Sequence, residues 1–276
     1  MQAVTKTKLN LLESSGYFAV PGVDLFTVLH QVTKPLARVL LVGTFASERQ
    51  ESYNIWVRWA RYLAARGIEV LRFDYRGTGE STGVFEDMSF GDWSEDVRLL
   101  ADWTASRSPR VPFILHGLEL GAIFAAKSFD KGVGDALLLW SVPTNANQVL
   151  RSALKRWTWL DQLGESPENR RSISDSIRQL DEGGFVELQG YYWSSRLWRE
   201  SFLFDFPASV VGTDSLSNAD RRPVKIINFG KGTTSLVMPY PKFPEVKDLT
   251  NLYADTFRWV AGALNLPPGG PYEGDN

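Results

Sequence analysis

The stretch that decides the fold is residues 113–122, which read FILHGLELGA. Its apolar first half is typical of a buried β-strand, and its second half, rich in small residues, is typical of a helix start. Between them, Gly117, Glu119 and Gly121 follow the pattern Gly-x-Glu-x-Gly, which has the spacing of a nucleophile elbow. In such an elbow the central side chain stands at the tip of a strained turn, and glycines flank it because neighbouring backbone approaches closely. We therefore predict a strand, an elbow with Glu119 at its tip, and a helix.

The elbow lies within a regular series of strands and helices. Apolar runs predict strands at residues 25–32, 37–42, 68–73, 111–115 and 136–140. Helical spacing of apolar residues predicts helices at residues 53–66, 93–103 and 120–127, with a loop at 43–52. The short turn at residues 33–35 suits an antiparallel hairpin between the first two strands. The alternation that follows is what a right-handed, mostly parallel sheet requires.

The second half of the chain predicts an insertion and a return to the sheet. Residues 144–205 carry charged helical stretches with tryptophans and tyrosines and no convincing buried strand, so we interpret them as a helical cap. Residues 1–143 and 206–276 then form one α/β core, a mostly parallel central sheet flanked by helices. Its last elements are predicted at residues 224–229, 233–238 and 249–264, with a loose tail from residue 267.

Length and charge narrow the class of protein. A chain of 276 residues with 43% hydrophobic residues can bury the core of one large domain. The net charge of −2 is spread along the chain, which argues against a nucleic-acid or anionic-lipid partner. No apolar stretch approaches the roughly 20 residues that a membrane span needs, and residues 1–10 lack the apolar core of a signal peptide. We therefore expect a soluble, cytoplasmic protein.

Motifs for bound cofactors are missing from the sequence. Cysteine is absent, which excludes disulfides and thiolate chemistry. We find no metal-ligand cluster, no phosphate-binding Gly-x-x-x-x-Gly-Lys loop and no dinucleotide fingerprint. We therefore predict no cofactor.

A second marker supports a family resemblance. Residues 72–81, RFDYRGTGES, follow the strand before the elbow, and we interpret Asp74 and Arg76 as side chains that tie this loop together. The two markers at this spacing resemble the α/β-hydrolase superfamily from about residue 25 to residue 121, with a return near 224–261. Three segments look like exosortase A system-associated hydrolases, which are accessory proteins of bacterial exopolysaccharide and protein-sorting loci: residues 25–31, 72–83 and 184–191.

This resemblance implies a serine hydrolase acting on an ester, thioester or amide, and the chain departs from that pattern. The position of the serine is held by Glu119. The expected histidine near the C-terminus is missing, since the chain has only His30 and His116. Without that base an ordinary triad is not available. The acid region before the last strands offers three aspartates, none of which we assign: Asp205, Asp214 and Asp220.

Two environments for the Glu119 carboxyl remain open. In one, it occupies the oxyanion hole, accepting from the N–H of Leu120 and from the loop near Thr44 or Phe45; the pKa of Glu119 is then lowered and the carboxylate mimics a negatively charged intermediate. In the other, it points into an apolar cap pocket, its pKa is raised, and general acid or base catalysis becomes available.

Further pocket candidates are His116, Trp157, Trp159 and Tyr191. Each has a simpler structural interpretation: His116 as a hydrogen-bonded core residue, and the cap aromatics as a cover over the core.

Three hypotheses about the function of the protein remain open. The first hypothesis is a catalytically impaired homologue that binds a small acyl or glycan-related ligand or a partner protein. The second is an active ester or thioester hydrolase with Glu119 as nucleophile or general base, and the third is a structural role in an assembly through exposed cap aromatics.

Overall fold

The structure is a computed structural model that describes residues 3–6, 12–161, 172–210, 222–228 and 249–266. The candidate strand at 233–238, the tail from 267, Asp214 and Asp220 lie outside these residues. None of the helices in the described ranges is both long enough and apolar enough to cross a bilayer.

An eight-stranded sheet forms the centre of the fold. Its strands are β1 (Ala3–Lys6), β2 (Leu12–Val20), β3 (Val23–Gln31), β4 (Ala37–Val42), β5 (Ile68–Phe73), β6 (Phe113–Leu118), β7 (Ala136–Trp140) and β10 (Val224–Ile227). They lie in the order β1-β2-β3-β5-β4-β6-β7-β10. From β5 to β10 all neighbours are parallel, and β1, β2 and β3 extend the sheet in antiparallel fashion. A separate antiparallel hairpin consists of β8 (Phe185–Leu188) and β9 (Tyr191–Ser194).

Helices cover both faces of this sheet. They are α1 (Glu48–Ala64), α2 (Phe90–Ser106), α3 (Leu120–Asp130), α4 (Ala146–Asp161), α5 (Ile173–Asp181), α6 (Ser195–Glu200) and α7 (Thr250–Ala263). Because side chains alternate along a strand, Leu40 of β4 packs with α2 and α3 while Leu41 packs with α1 and α7. The predicted α/β fold, with a mostly parallel sheet flanked by helices, is confirmed.

The predicted hairpin between the first two strands is wrong. β3 pairs with β2 and β5, and β4 pairs in parallel with β5 and β6. Every residue of β4 is buried, so this strand takes a central position that an edge hairpin cannot offer. The hairpin partner of β3 is β2, whose sequence LESSGYFAV carries too many polar residues to show a clear apolar pattern.

Two further elements differ from the sequence-based expectations. Helix α1 begins at Glu48, inside the predicted loop at 43–52, because its first turn is polar and lacks the apolar spacing that marks a helix. The hairpin β8–β9 lies in the insertion between β7 and β10, where we expected no strand. Each of its strands has only four residues, which is too short to give a reliable alternation.

Candidate functional site

The predicted elbow joins β6 to α3. Glu119 stands between them with φ 52° and ψ −117°, a backbone conformation that residues other than glycine rarely adopt. Backbone hydrogen bonds hold the turn: the N–H of Glu119 donates to the carbonyl of Trp140 (3.0 Å), and its carbonyl accepts from the N–H of Ala122 (2.9 Å). The turn is therefore fixed by both its neighbouring strand and its own helix.

Both elbow glycines are required by close backbone contacts. A Cβ atom on Gly117 would lie 2.6 Å from the carbonyl oxygen of Gly121. One on Gly121 would overlap the carbonyl oxygens of Val42 and Gly43, at the end of β4. Backbone atoms cannot move aside as a flexible side chain can, so a larger residue at either position would distort the turn.

The tip of the elbow meets two side chains that the sequence analysis did not identify. Glu48, only 2% exposed at the start of α1, shares a side-chain hydrogen bond with Glu119. The Nη2 atom of Arg156, on α4, lies 3.0 Å from Oε1 of Glu48. The site therefore joins the elbow, the first turn of α1 and a helix of the insertion through one chain of polar contacts.

These contacts decide which carboxyl carries a proton. Burial raises the pKa of Glu119 well above its usual value; the charge of Glu48 and their shared hydrogen bond raise it further, while Arg156 opposes the shift. Burial also raises the pKa of Glu48, whereas Arg156 and the hydrogen bond from Glu119 lower it. Glu119 is thus the protonated partner and donates to the Glu48 carboxylate. The pKa of Glu119 is therefore raised, whereas a carboxylate in the oxyanion hole would have a lowered pKa.

The oxyanion-hole candidates lie around this pair. Leu120 is the first residue of α3, and the Glu119 side chain does not cap that helix. The Phe45 ring packs against the ring of Trp193 (5.3 Å between centroids), and its carbonyl accepts from the N–H of Glu48 (3.0 Å). The Thr44 hydroxyl bonds to the hydroxyl of Ser52 (2.8 Å). The loop after β4 thus positions Glu48. We did not identify this residue from the sequence because it lies inside the predicted loop at 43–52.

His116 lies in the core on the α1 side of the sheet. It is fully buried, and its Nδ1 accepts from the indole N–H of Trp59 (3.0 Å) beside the rings of Trp56 and Trp140. Burial lowers its pKa well below the usual value, so the ring is neutral at physiological pH. It contributes to packing and does not line a pocket at the elbow.

His30 is also a buried hydrogen-bond acceptor. The Nε atom of Arg72 donates to its Nε2 (3.0 Å). Burial, aided by the positive charge of Arg72, lowers the pKa of His30 to about 4. Neither histidine of the chain is therefore placed to act as a catalytic base at Glu119.

The cap aromatics divide between the interior and the surface. Trp157 is buried, whereas Trp159 is 54% exposed on α4. Tyr191 is half-buried, with its ring 4.7 Å from that of Phe85. Trp193, which the sequence analysis had not singled out as a site residue, is the cap aromatic that contacts the loop after β4.

The loop at residues 72–81 is fastened by ion pairs. Asp74 accepts both Nε and Nη2 of Arg49 (2.8 and 2.7 Å) and the N–H of Glu80 (3.0 Å). Arg76 donates through Nε to Asp96 (2.8 Å). Both side chains thus tie the loop to the neighbouring helices α1 and α2. In the described residues, no three carboxylates or histidines converge as a metal site.

Comparisons with known proteins identify the same fold. Residues 35–162 match the family model described as serine aminopeptidase, S33. Est1E from Butyrivibrio proteoclasticus, solved with ferulic acid, is similar over 91% of this chain and 99% of its own, with a TM-score of 0.59 and 14% identity. This chain has the α/β-hydrolase fold. GrgF from Penicillium sp. sh18, an α/β-hydrolase, is similar over 92% of this chain and 99% of its own (TM-score 0.58, 15% identity).

A third similar structure is a soluble variant of the monoglyceride lipase of Saccharomyces cerevisiae, covering 90% of this α/β-hydrolase-fold protein and 94% of its own chain (TM-score 0.56, 12% identity). None of the curated proteins matches the sequence. Identities this low establish the fold and leave the chemistry to the site itself. At that site, Glu119 stands at the tip of the elbow and contacts Glu48, which lies 3.0 Å from Arg156 of α4.

Proposed function

We propose that this α/β-hydrolase-fold protein binds a small acyl ligand between the cap and the elbow and does not hydrolyse it. The observation that carries this proposal is the position of Glu119 at the elbow tip, in contact with the buried Glu48 that Arg156 pairs. Burial and Glu48 raise the pKa of Glu119 well above its usual value, which favours the protonated carboxyl. A protonated carboxyl is neither a nucleophile nor a general base. The elbow therefore presents no group that attacks a carbonyl carbon.

The surroundings of the elbow support the same conclusion. Transfer of a proton between nucleophile and leaving group requires an imidazole in the usual mechanism, and His30 and His116 are both neutral residues of the core. The strained turn and its glycines are nevertheless retained. Backbone strain persists only where the surrounding structure enforces it, so the elbow holds Glu119 in a defined position.

We further propose that the protein acts as an accessory component beside bacterial exopolysaccharide and protein-sorting systems. The likeness of three segments to exosortase A system-associated hydrolases supports this role, and an acyl or glycan-related ligand fits it. The ligand is expected to enter from above Glu119, because this residue keeps a small exposed fraction while its neighbours Leu118 and Leu120 are buried.

The experiment is hydrolysis of p-nitrophenyl esters and thioesters by the purified protein, beside Glu119→Gln and Glu119→Ser. None of the three proteins is expected to hydrolyse these substrates. Glu119→Gln preserves a donor to Glu48, and Glu119→Ser introduces a hydroxyl without an imidazole to accept its proton. Turnover by the unaltered protein would refute the proposal, and its loss in Glu119→Gln would assign that turnover to Glu119.

A second candidate function rests on the unequal pKa values of the carboxyl pair. Environments that separate the pKa values of two neighbouring carboxyls are how enzymes assign an acid and a base. Here Glu119 would donate a proton to a leaving group, and Glu48 would accept one from an attacking water. This candidate requires turnover that both Glu119→Gln and Glu48→Gln abolish. Turnover retained in either variant would exclude it.

A further inference from the structure

Three buried N–H donors of the cap have no acceptor within the described part of the chain. They are Nη1 of Arg156 and the indole nitrogens of Trp157 and Trp193. Trp157 is 7% exposed and Trp193 is 2% exposed. Burying a donor without an acceptor is costly, and such groups are rare in folded proteins. Their grouping on the cap calls for an explanation.

The residues that carry two of these donors contact the same turn of the core. Arg156 holds Glu48 through its other terminal nitrogen, and the Trp193 ring packs on the ring of Phe45. Phe45 and Glu48 close one backbone turn, since the carbonyl of the first accepts from the N–H of the second (3.0 Å). The third donor, Trp157, follows Arg156 on α4, which packs against α3 and β8. All three donors therefore belong to the insertion, and two of the residues that carry them contact the turn that holds Glu48.

The chemistry of this group specifies an acceptor. A guanidinium and an indole N–H donate hydrogen bonds and accept none. Arginine has enough N–H groups to serve Glu48 and a second carboxylate together. Glu119 holds its proton, so it does not repel a second negative charge. The rings of Phe45, Trp157 and Trp193 supply apolar surface around the donors.

We propose that Arg156 and Trp193, assisted by Trp157, bind the carboxylate of an organic monocarboxylic acid whose apolar body lies against the cap rings. The inference rests on the proposed binding function and deepens it by naming the ligand class. Neutral amides and alcohols of the same shape lack the charge that the guanidinium recognises, so they are expected to bind weakly.

The test is isothermal titration calorimetry with hexanoate and benzoate against hexanamide and benzamide. The carboxylates are expected to bind about 10-fold or more tightly than the amides, because a hydrogen bond to a charged group is the stronger kind. Trp193→Phe keeps an aromatic ring and removes the indole N–H. Arg156→Lys keeps the positive charge and removes the planar pair of terminal N–H groups that can bond to two carboxylates together. Each variant is expected to weaken carboxylate binding by about 10-fold. Binding of neither class, or equal binding of both, would overturn the inference.

Trp198→Phe is the matched control. The indole N–H of Trp198 donates to Oδ1 of Asp181 (2.8 Å), so its loss should lower the urea midpoint of the free protein without changing carboxylate binding. Trp193→Phe removes the same buried volume but a donor that has no acceptor, so it should lower the midpoint less than Trp198→Phe does. A midpoint lowered as in Trp198→Phe, with carboxylate binding intact, would assign Trp193 a structural role and overturn the inference. Ester turnover, by contrast, would refute the proposed function without bearing on carboxylate selectivity.

Discussion

Replacing Glu119 by glutamine should change how the stability of the protein depends on pH. The folded-state pKa of Glu119 is raised well above its usual value by burial and by Glu48. Above the unfolded-state pKa of roughly 4.3, the folded protein thus keeps a proton that the unfolded chain releases. Holding this proton costs stability as pH rises, from that value up to the folded-state pKa. Glutamine donates an N–H to Glu48 in place of the O–H and has no proton to lose.

The size of the effect follows from proton linkage. One extra proton bound by the folded state lowers the free energy of unfolding by about 1.4 kcal/mol for each pH unit. Between pH 5 and pH 7 the unaltered protein should therefore lose stability relative to Glu119→Gln, by up to about 3 kcal/mol, the limit for one full proton over this range. Because the two carboxyls titrate together, this slope belongs to the Glu48–Glu119 pair.

Urea unfolding at pH 5, 6 and 7 measures the difference. Glu182→Gln serves as the control, since it makes the same chemical change at an exposed residue of the cap. The reasoning is refuted if the stabilities of Glu119→Gln and the unaltered protein keep a constant difference over this range. It is equally refuted if Glu182→Gln reproduces the slope, because the effect would then have no connection to the elbow.

Two other substitutions test the contacts around the pair. Gly121→Ala places a Cβ against backbone carbonyls and should destabilise the protein by about 1–3 kcal/mol in urea unfolding. The control Gly262→Ala lies in a helix with open space around it and should be neutral or stabilising by up to about 1 kcal/mol. Equal effects at both positions would contradict the close approach of backbone to Gly121. Arg156→Met leaves the buried Glu48 charge unpaired and should lower the free energy of unfolding by about 3 kcal/mol or more. The control Arg178→Met breaks an exposed ion pair and should lower it by at most about 1 kcal/mol. An equally small loss of stability in Arg156→Met would show that the buried pair does not hold the cap.

Features set by local backbone requirements could be predicted from the sequence. The elbow was found because a turn at positive φ with close backbone neighbours demands glycines at fixed spacing around Glu119. The strand Ala136–Trp140 was found to the residue because it is a continuous apolar run bounded by polar residues. Both signals lie within ten residues of sequence and require no knowledge of tertiary contacts.

The partners of Glu119 could not be found in this way. Glu48 lies in a polar first turn of α1 that has no apolar periodicity, and Arg156 is one of several arginines on a charged helix. Their relation to the elbow exists only once the sheet places the end of β4 beside β6 and the insertion returns over it. The unequal protonation of the pair is likewise a product of burial that no local pattern encodes.

The geometry of the elbow also bears on the order of folding. Its turn depends on the end of β4, which must approach Gly121, and on β7, which accepts the Glu119 N–H. A chain segment containing only β6 and α3 lacks both contacts and has no reason to adopt a positive φ at Glu119. The elbow is therefore expected to form late, after the central strands have aligned. Gly121→Ala should accordingly increase the unfolding rate more than it slows refolding, which stopped-flow measurements can separate.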